Sequence, residues 1–142
     1  MMKDGEMLDY VHKATEMGRY GILTVLPGAH QAQLRSALEQ QMTEYEKLMD
    51  SSKKMLEERG KRPKELGAMA KLSSQVSARM QTMMDPSPEK IAEMMVQGNT
   101  MGMTKSLRHI HDFGQGDPRV KDLAGKLLKT EEANIEQMKK FL

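Results

Sequence analysis

The stretch GDPRVKDLAGKLLKTEEANIEQMKKFL, Gly116–Leu142, decides the fold. Val120, Leu123, Ala124, Leu127, Leu128, Ile135, Met138 and Phe141 recur at helical spacing within it, which predicts an amphipathic helix over about 117–142 with one buried face. Glu131 lies near the middle of that face and is expected to point inward with the leucines. A carboxylate there is a ligand, a hydrogen-bonded structural group, or a sign that the face is phased wrongly by one residue.

Working outward, the same periodicity predicts four more helices. The first, about 4–26, has Asp4 as its cap and a stripe of Leu8, Val11, Thr15, Gly18, Ile22 and Val25. Met7, Tyr10, Ala14, Met17 and Gly21 widen that face, while Asp9, Lys13, Glu16 and Tyr20 lie opposite. The Leu-Pro-Gly at 26–28 breaks the helix. The second, about 30–59, buries Leu34, Ala37, Leu38, Gln41, Tyr45, Leu48, Ser52, Met55 and Leu56, and stops at Gly60. The third, about 63–84, starts at a proline and carries Leu66, Met69, Ser73, Val76 and Met80. The fourth, about 88–113, follows the candidate cap Ser87 and places Ile91, Ala92, Met95, Gly98, Asn99, Gly102, Ser106, His109, Ile110 and Phe113 on one face. Gly18, Gly21, Gly98 and Gly102 each cost about 1 kcal/mol against alanine in a helix, so close approach of neighbouring helices is expected at all four.

Composition agrees with an all-α domain of 142 residues. Aromatic residues are 4% of the chain and no segment shows the strict alternation of a strand. Net charge is +2 with interleaved signs, which leaves no electrostatic footprint for nucleic acid. The absence of cysteine removes disulfides, thiolate metal sites and cysteine nucleophiles together. No apolar run approaches the roughly 20 residues that span a bilayer. The first residues, MMKDGEMLDY, lack the basic-then-apolar order of a signal peptide, so no membrane partner and a cytoplasmic location are expected.

Four long helices joined by two short hairpins leave one connection to explain. If the third helix is a crossover, the order becomes up-down-down-up, the ferritin-like topology; an antiparallel five-helix array is the competitor. LRSALEQQMTEYEKLMDSSKKMLEERGKRP, PEKIAEMMVQGNTMGMTKSLRHI and DPRVKDLAGKLLKTEEANIEQMKKFL together resemble the small bacterial ferritin-like proteins, several of them of unknown function. GRYGILTVLPGAHQAQLRSALEQQMTEYEKL is also similar to a spore-coat family of that superfamily.

The resemblance implies a dimetal centre of iron or manganese, with one Glu from each of two helices and Glu-x-x-His from each of the other two. This chain departs from that pattern almost everywhere. Glu16 falls opposite the apolar stripe, and the second helix has Gln41 and Tyr45 where inward ligands would stand. The fourth has Asn99 in place of Glu. In the last helix Glu131 faces in, but Asn134 stands three residues later where His would be. Thr15, Gln41, Tyr45, Asn99, Glu131 and Asn134 are therefore expected to form a hydrogen-bonded remnant layer. One carboxylate with neutral groups does not balance two divalent cations. Without a cation, burial should raise the pKa of Glu131 and leave it protonated near neutral pH.

Two other patterns bear on function. Sixteen methionines could bind Cu(I) or line a groove for a hydrophobic helix, as in the methionine-rich domain of the signal recognition particle, but most lie on inward faces and read as core. His12 and His30 sit at a helix flank and a helix start. His109 and His111 are two residues apart and cannot form an i, i+4 ligand pair. The expected function is that of a non-catalytic structural or interaction protein with a homo-oligomeric or other protein partner and no cofactor. The alternatives are a ferritin-like oxidoreductase or storage protein with an atypical iron or manganese site around Glu131, and a Met-lined helix-binding module.

Overall fold

The computed structural model describes residues 1–64 and 87–142, and among these residues all regular structure is helical. The helix expected over 63–84 lies outside the described residues but for Pro63 and Lys64, which have no regular structure. Four α-helices remain: α1 (Asp4–Val25), α2 (Ala32–Glu58), α3 (Pro88–Phe113) and α4 (Pro118–Lys139). A 3-10 turn, Leu26–Gly28, carries the chain from α1 toward α2.

Local chemistry sets the helix ends. Ser87 and Asp117 cap α3 and α4 by accepting from Lys90 N–H (3.2 Å) and Arg119 N–H (2.9 Å), and each is followed by proline, whose missing N–H costs nothing at that position. The end of α2 is a Schellman turn. Lys61 N–H donates to Leu56 O and Gly60 N–H to Glu57 O, each at 2.9 Å, with Gly60 at φ 71°. The cap of α1 is Lys3 rather than Asp4: Lys3 N–H donates to Glu6, and the Asp4 carboxylate is left to accept from Asp117 N–H at 2.9 Å.

The helices pack α1 against α2 and α3 against α4, and α2–α4, α1–α4 and α1–α3 contacts join the two pairs. Leu8, Val11 and Ile22 of α1, Leu34, Leu38 and Leu56 of α2, Ile91 and Phe113 of α3, and Val120, Leu127 and Met138 of α4 form one continuous core. Each such side chain contributes roughly 1.5–3 kcal/mol when fully buried. At one end of the molecule Arg59 reaches Asp117 at 2.8 Å and Asp4 at 3.6 Å, Arg119 reaches Glu58 at 3.3 Å, and Met2 N–H donates to Asp112 O at 3.2 Å. The starts of α1 and α4 and the finishes of α2 and α3 are thereby tied together. No described helix is long and apolar enough to cross a membrane.

The inward faces differ from expectation in three places. His12, placed at a helix flank by the sequence, is buried, with Nδ1 3.9 Å from Glu16 Oε2. Among the α3 methionines, Met94, Met95 and Met103 are half-buried and Met101 is 67% exposed. Glycine also has two uses rather than one. A Cβ on Gly18 would lie 2.6–2.8 Å from three ring atoms of Tyr45, and one on Gly102 would collide with Glu131 Oε2. By contrast, among the described residues nothing lies within 4 Å of a Cβ on Gly21 or Gly98. Gly18 and Gly102 therefore make room for polar side chains from other helices, while no described helix closely approaches Gly21 or Gly98.

Candidate functional site

Among the described buried polar side chains, Gln41, Asn99, Ser106, Glu131 and Asn134 fall into three separate networks. In the first, Tyr45 Oη donates to Asn99 Oδ1 at 2.8 Å, and Asn134 Nδ2 donates to Tyr45 Oη at 3.2 Å and to Asn99 Oδ1 at 3.3 Å. Asn99 Nδ2 donates back to Met95 O, one turn earlier in its own helix, at 2.8 Å. Three residues from α2, α3 and α4 thus use one another's donors and acceptors, which is how neutral polar groups avoid an uncompensated loss of water. Burial raises the pKa of the Tyr45 phenol, and the Glu131 carboxylate raises it further, so this group is a neutral hydrogen-bond donor at physiological pH.

Glu131 is the centre of the second network. It is 4% exposed and is the sole carboxylate among the described buried residues. Ser106 Oγ donates to Glu131 Oε1 at 2.6 Å, and Tyr10 Oη lies 2.9 Å from Ser106 Oγ. Where the serine hydrogen goes to the carboxyl, Tyr10 is the donor to Ser106; the Tyr10 hydroxyl also lies 3.4 Å from Gly102 O, so hydrogen bonds join α1, α3 and α4 at this point. Burial pushes the Glu131 carboxyl from 4.5 up to about 7; the Ser106 hydrogen bond opposes that shift and the charge of Glu132 adds to it. Burial likewise pushes Tyr10 up to about 12. The Tyr10 ring packs against half-buried His109, with centroids 4.3 Å apart at 55°.

The third network is a single bond, Gln41 Nε2 to Gln137 Oε1 at 2.8 Å, which leaves the buried Gln41 Oε1 with no hydrogen-bond partner. Thr15 joins none of the three. Its hydroxyl donates to Val11 O at 2.8 Å and His12 O at 2.9 Å, both in its own helix. Of the six residues assigned to one layer, the structure brings together Tyr45, Asn99 and Asn134, gives Glu131 other partners, and leaves Gln41 and Thr15 outside.

The participants that the sequence does not mark as site candidates are Ser106, Tyr10 and Gln137, while Gly102 is marked only as a packing position. Ser106, Gly102 and Tyr10 stood on predicted inward faces, and a search for a hydroxyl donor to the inward Glu131 would have selected Ser106. Nothing in the sequence distinguishes Gln137 from other surface glutamines.

A dimetal centre needs several carboxylates or imidazoles around a shared volume, and this donor set does not fit one. A lone carboxyl bound to a serine is flanked by amides and phenols that already satisfy one another. Among the described residues no group of three or more His, Asp or Glu side chains is placed to hold a metal ion. Elsewhere, a cleft of about 410 Å³ between the start of α2 and the end of α4 is lined by Ala32, Gln33, Ala37, Gln40, Gln137 and Phe141, with Lys140 beside them. Amides and apolar atoms dominate that lining.

Comparison with known proteins gives no match to a family model, to a curated protein or to a solved structure.

Proposed function

We propose that the chain is a ferritin-like helical bundle whose dimetal site has been lost, and that it works as a non-catalytic structural or interaction protein. The polarity of the helices supports the topology. The starts of α1 and α4 share an end with the finishes of α2 and α3, the arrangement an up-down-down-up bundle requires. The finish of α2 and the start of α3 therefore lie at opposite ends of the bundle, separated by about the 40 Å that a helix of 27 residues spans at 1.5 Å per residue.

The observation that carries the reading is the Tyr45–Asn99–Asn134 network. At the level where a relative would place carboxylates and imidazoles, α2, α3 and α4 present a phenol and two amides bonded to each other. Such groups hold helices in register and offer little to a divalent cation. With catalysis removed from the core, activity rests with the outer surface, through contact with a second copy or another protein.

Elemental analysis tests this directly. Protein incubated with Fe(II) or Mn(II) and then desalted should retain far less than one metal ion per chain. Stoichiometric metal that disappears in Glu131→Gln overturns the proposal in favour of a metal-binding protein with an atypical site.

A further inference from the structure

We propose that Glu131 is a proton-operated latch between α3 and α4: protonated, it lets the two helices close over it, and ionised, it opens the seam between them. The inference rests on the reading that no metal is held at Glu131, and goes beyond it in assigning the carboxyl a regulatory use.

The geometry carries the argument. The carboxyl projects from α4 into the space left by the missing side chain of Gly102 on α3, so that the α3 backbone lies directly over Oε2. Its hydrogen-bond donor is Ser106 of the same helix, one turn further on, at 2.6 Å. Among the described residues no lysine, arginine or histidine forms an ion pair with it, although eleven Lys or Arg ion pairs with Asp or Glu occur elsewhere among them. Around it stand Tyr10 from α1 and Tyr45 from α2, both neutral in the physiological range, and Glu132 from α4, whose charge disfavours ionisation. From α3 come the neutral Ser106 and Gly102, with His109 one step removed on the Tyr10 ring. A buried carboxylate with one hydroxyl donor and no cation has two ways to recover solvation: bind a proton, or admit water. Full hydration of both oxygens of the ionised carboxylate lifts α3 from α4 at the 102/131 level. Tyr10 strengthens the latch when closed, because its donation to Ser106 ties α1 to the same point.

Two readouts on the full-length, chelator-treated protein test the proposal. Isotope-edited infrared spectra of glutamate-labelled protein should show a protonated carboxylic acid at about pH 5.5 that titrates well above the usual glutamate range and is absent in Glu131→Gln. Ser106→Ala should move that midpoint upward, since it removes the donor that favours the charged form. Amide hydrogens of residues 99–106 and 128–134, corrected for intrinsic chemistry, should exchange on the order of tenfold faster at about pH 8.5 than at about pH 5.5 in the wild type but not in Glu131→Gln. Absence of the protonated band, or an unchanged exchange difference in Glu131→Gln, overturns the latch. A band that is present without metal and lost on stoichiometric Fe(II) or Mn(II) overturns the lost-site reading and leaves the latch standing for the metal-free protein.

Discussion

Replacing glycine by alanine at Gly18, Gly21, Gly98 and Gly102 should give two opposite results from one chemical change. In a helix interior the substitution gains about 0.8–1.0 kcal/mol, because alanine loses less backbone entropy. At Gly21 and Gly98 a Cβ meets nothing within 4 Å among the described residues, so this gain should appear almost whole. At Gly18 the new carbon would lie 2.6, 2.7 and 2.8 Å from three atoms of the Tyr45 ring, inside any normal contact distance. The ring cannot simply swing aside, since its hydroxyl is bonded to Asn99 at 2.8 Å and to Asn134 at 3.2 Å. Overpacking of this kind costs about 1–3 kcal/mol, which outweighs the helical gain. The expected net changes are therefore about +1 kcal/mol for Gly21→Ala and Gly98→Ala, and a loss of up to about 2 kcal/mol for Gly18→Ala. In a chain of this size 1 kcal/mol corresponds to about 3–5 °C in Tm, well within reach of thermal unfolding followed by circular dichroism. Gly102→Ala should also destabilise, and most strongly where Glu131 is ionised, because the methyl group displaces the carboxyl from Ser106. Equal stabilisation of Gly18→Ala and Gly21→Ala would refute the assignment of Gly18 as the seat of the tyrosine ring.

Glu131→Gln should stabilise the protein at alkaline pH and change little in acid. The folded-state pKa, about 7, lies above the ordinary 4.5, so the native state holds the extra proton between these values. Stability from this group is then complete below about pH 4.5, falls as pH rises through 7 and is flat beyond. At 1.36 kcal/mol per pH unit the full cost is about 3 kcal/mol, and urea unfolding at about pH 5 and pH 8 should show the variant gaining roughly 1–3 kcal/mol at the higher value alone. Loss of stability at pH 8 would mean that the carboxylate has an essential charged partner. Tyr45→Phe removes the hydroxyl shared by Asn99 and Asn134 and should cost about 1–2 kcal/mol. It should cost much less in an Asn99→Leu background, where the acceptor is already gone, and equal costs in both backgrounds would argue against the network.

The sequence by itself determined that the chain is all-α and roughly where its helices run. The 3.6-residue apolar stripes, the Leu-Pro-Gly break, Gly60, and Ser87 and Asp117 before their prolines are local signals whose physics needs no neighbour. Periodicity also placed Gln41, Tyr45, Asn99, Glu131 and Asn134 on inward faces. Tertiary structure alone decided which of them meet, because a hydrogen bond depends on heights and rotamers across helices that a stripe does not encode. Thr15 satisfies itself within α1, Ser106 takes Glu131 away from the amide network, and Gln137 is recruited from a face with no mark on it. The four glycines show the same division. Each is visible as a missing side chain, but whether the gap is filled by Tyr45, by Glu131 or by nothing depends on what the facing helix presents at that height. Most of all, Glu131 is legible as an inward carboxylate, while the raised pKa of that carboxyl follows from its burial with no cation paired to it among the described residues, a property of the packed core.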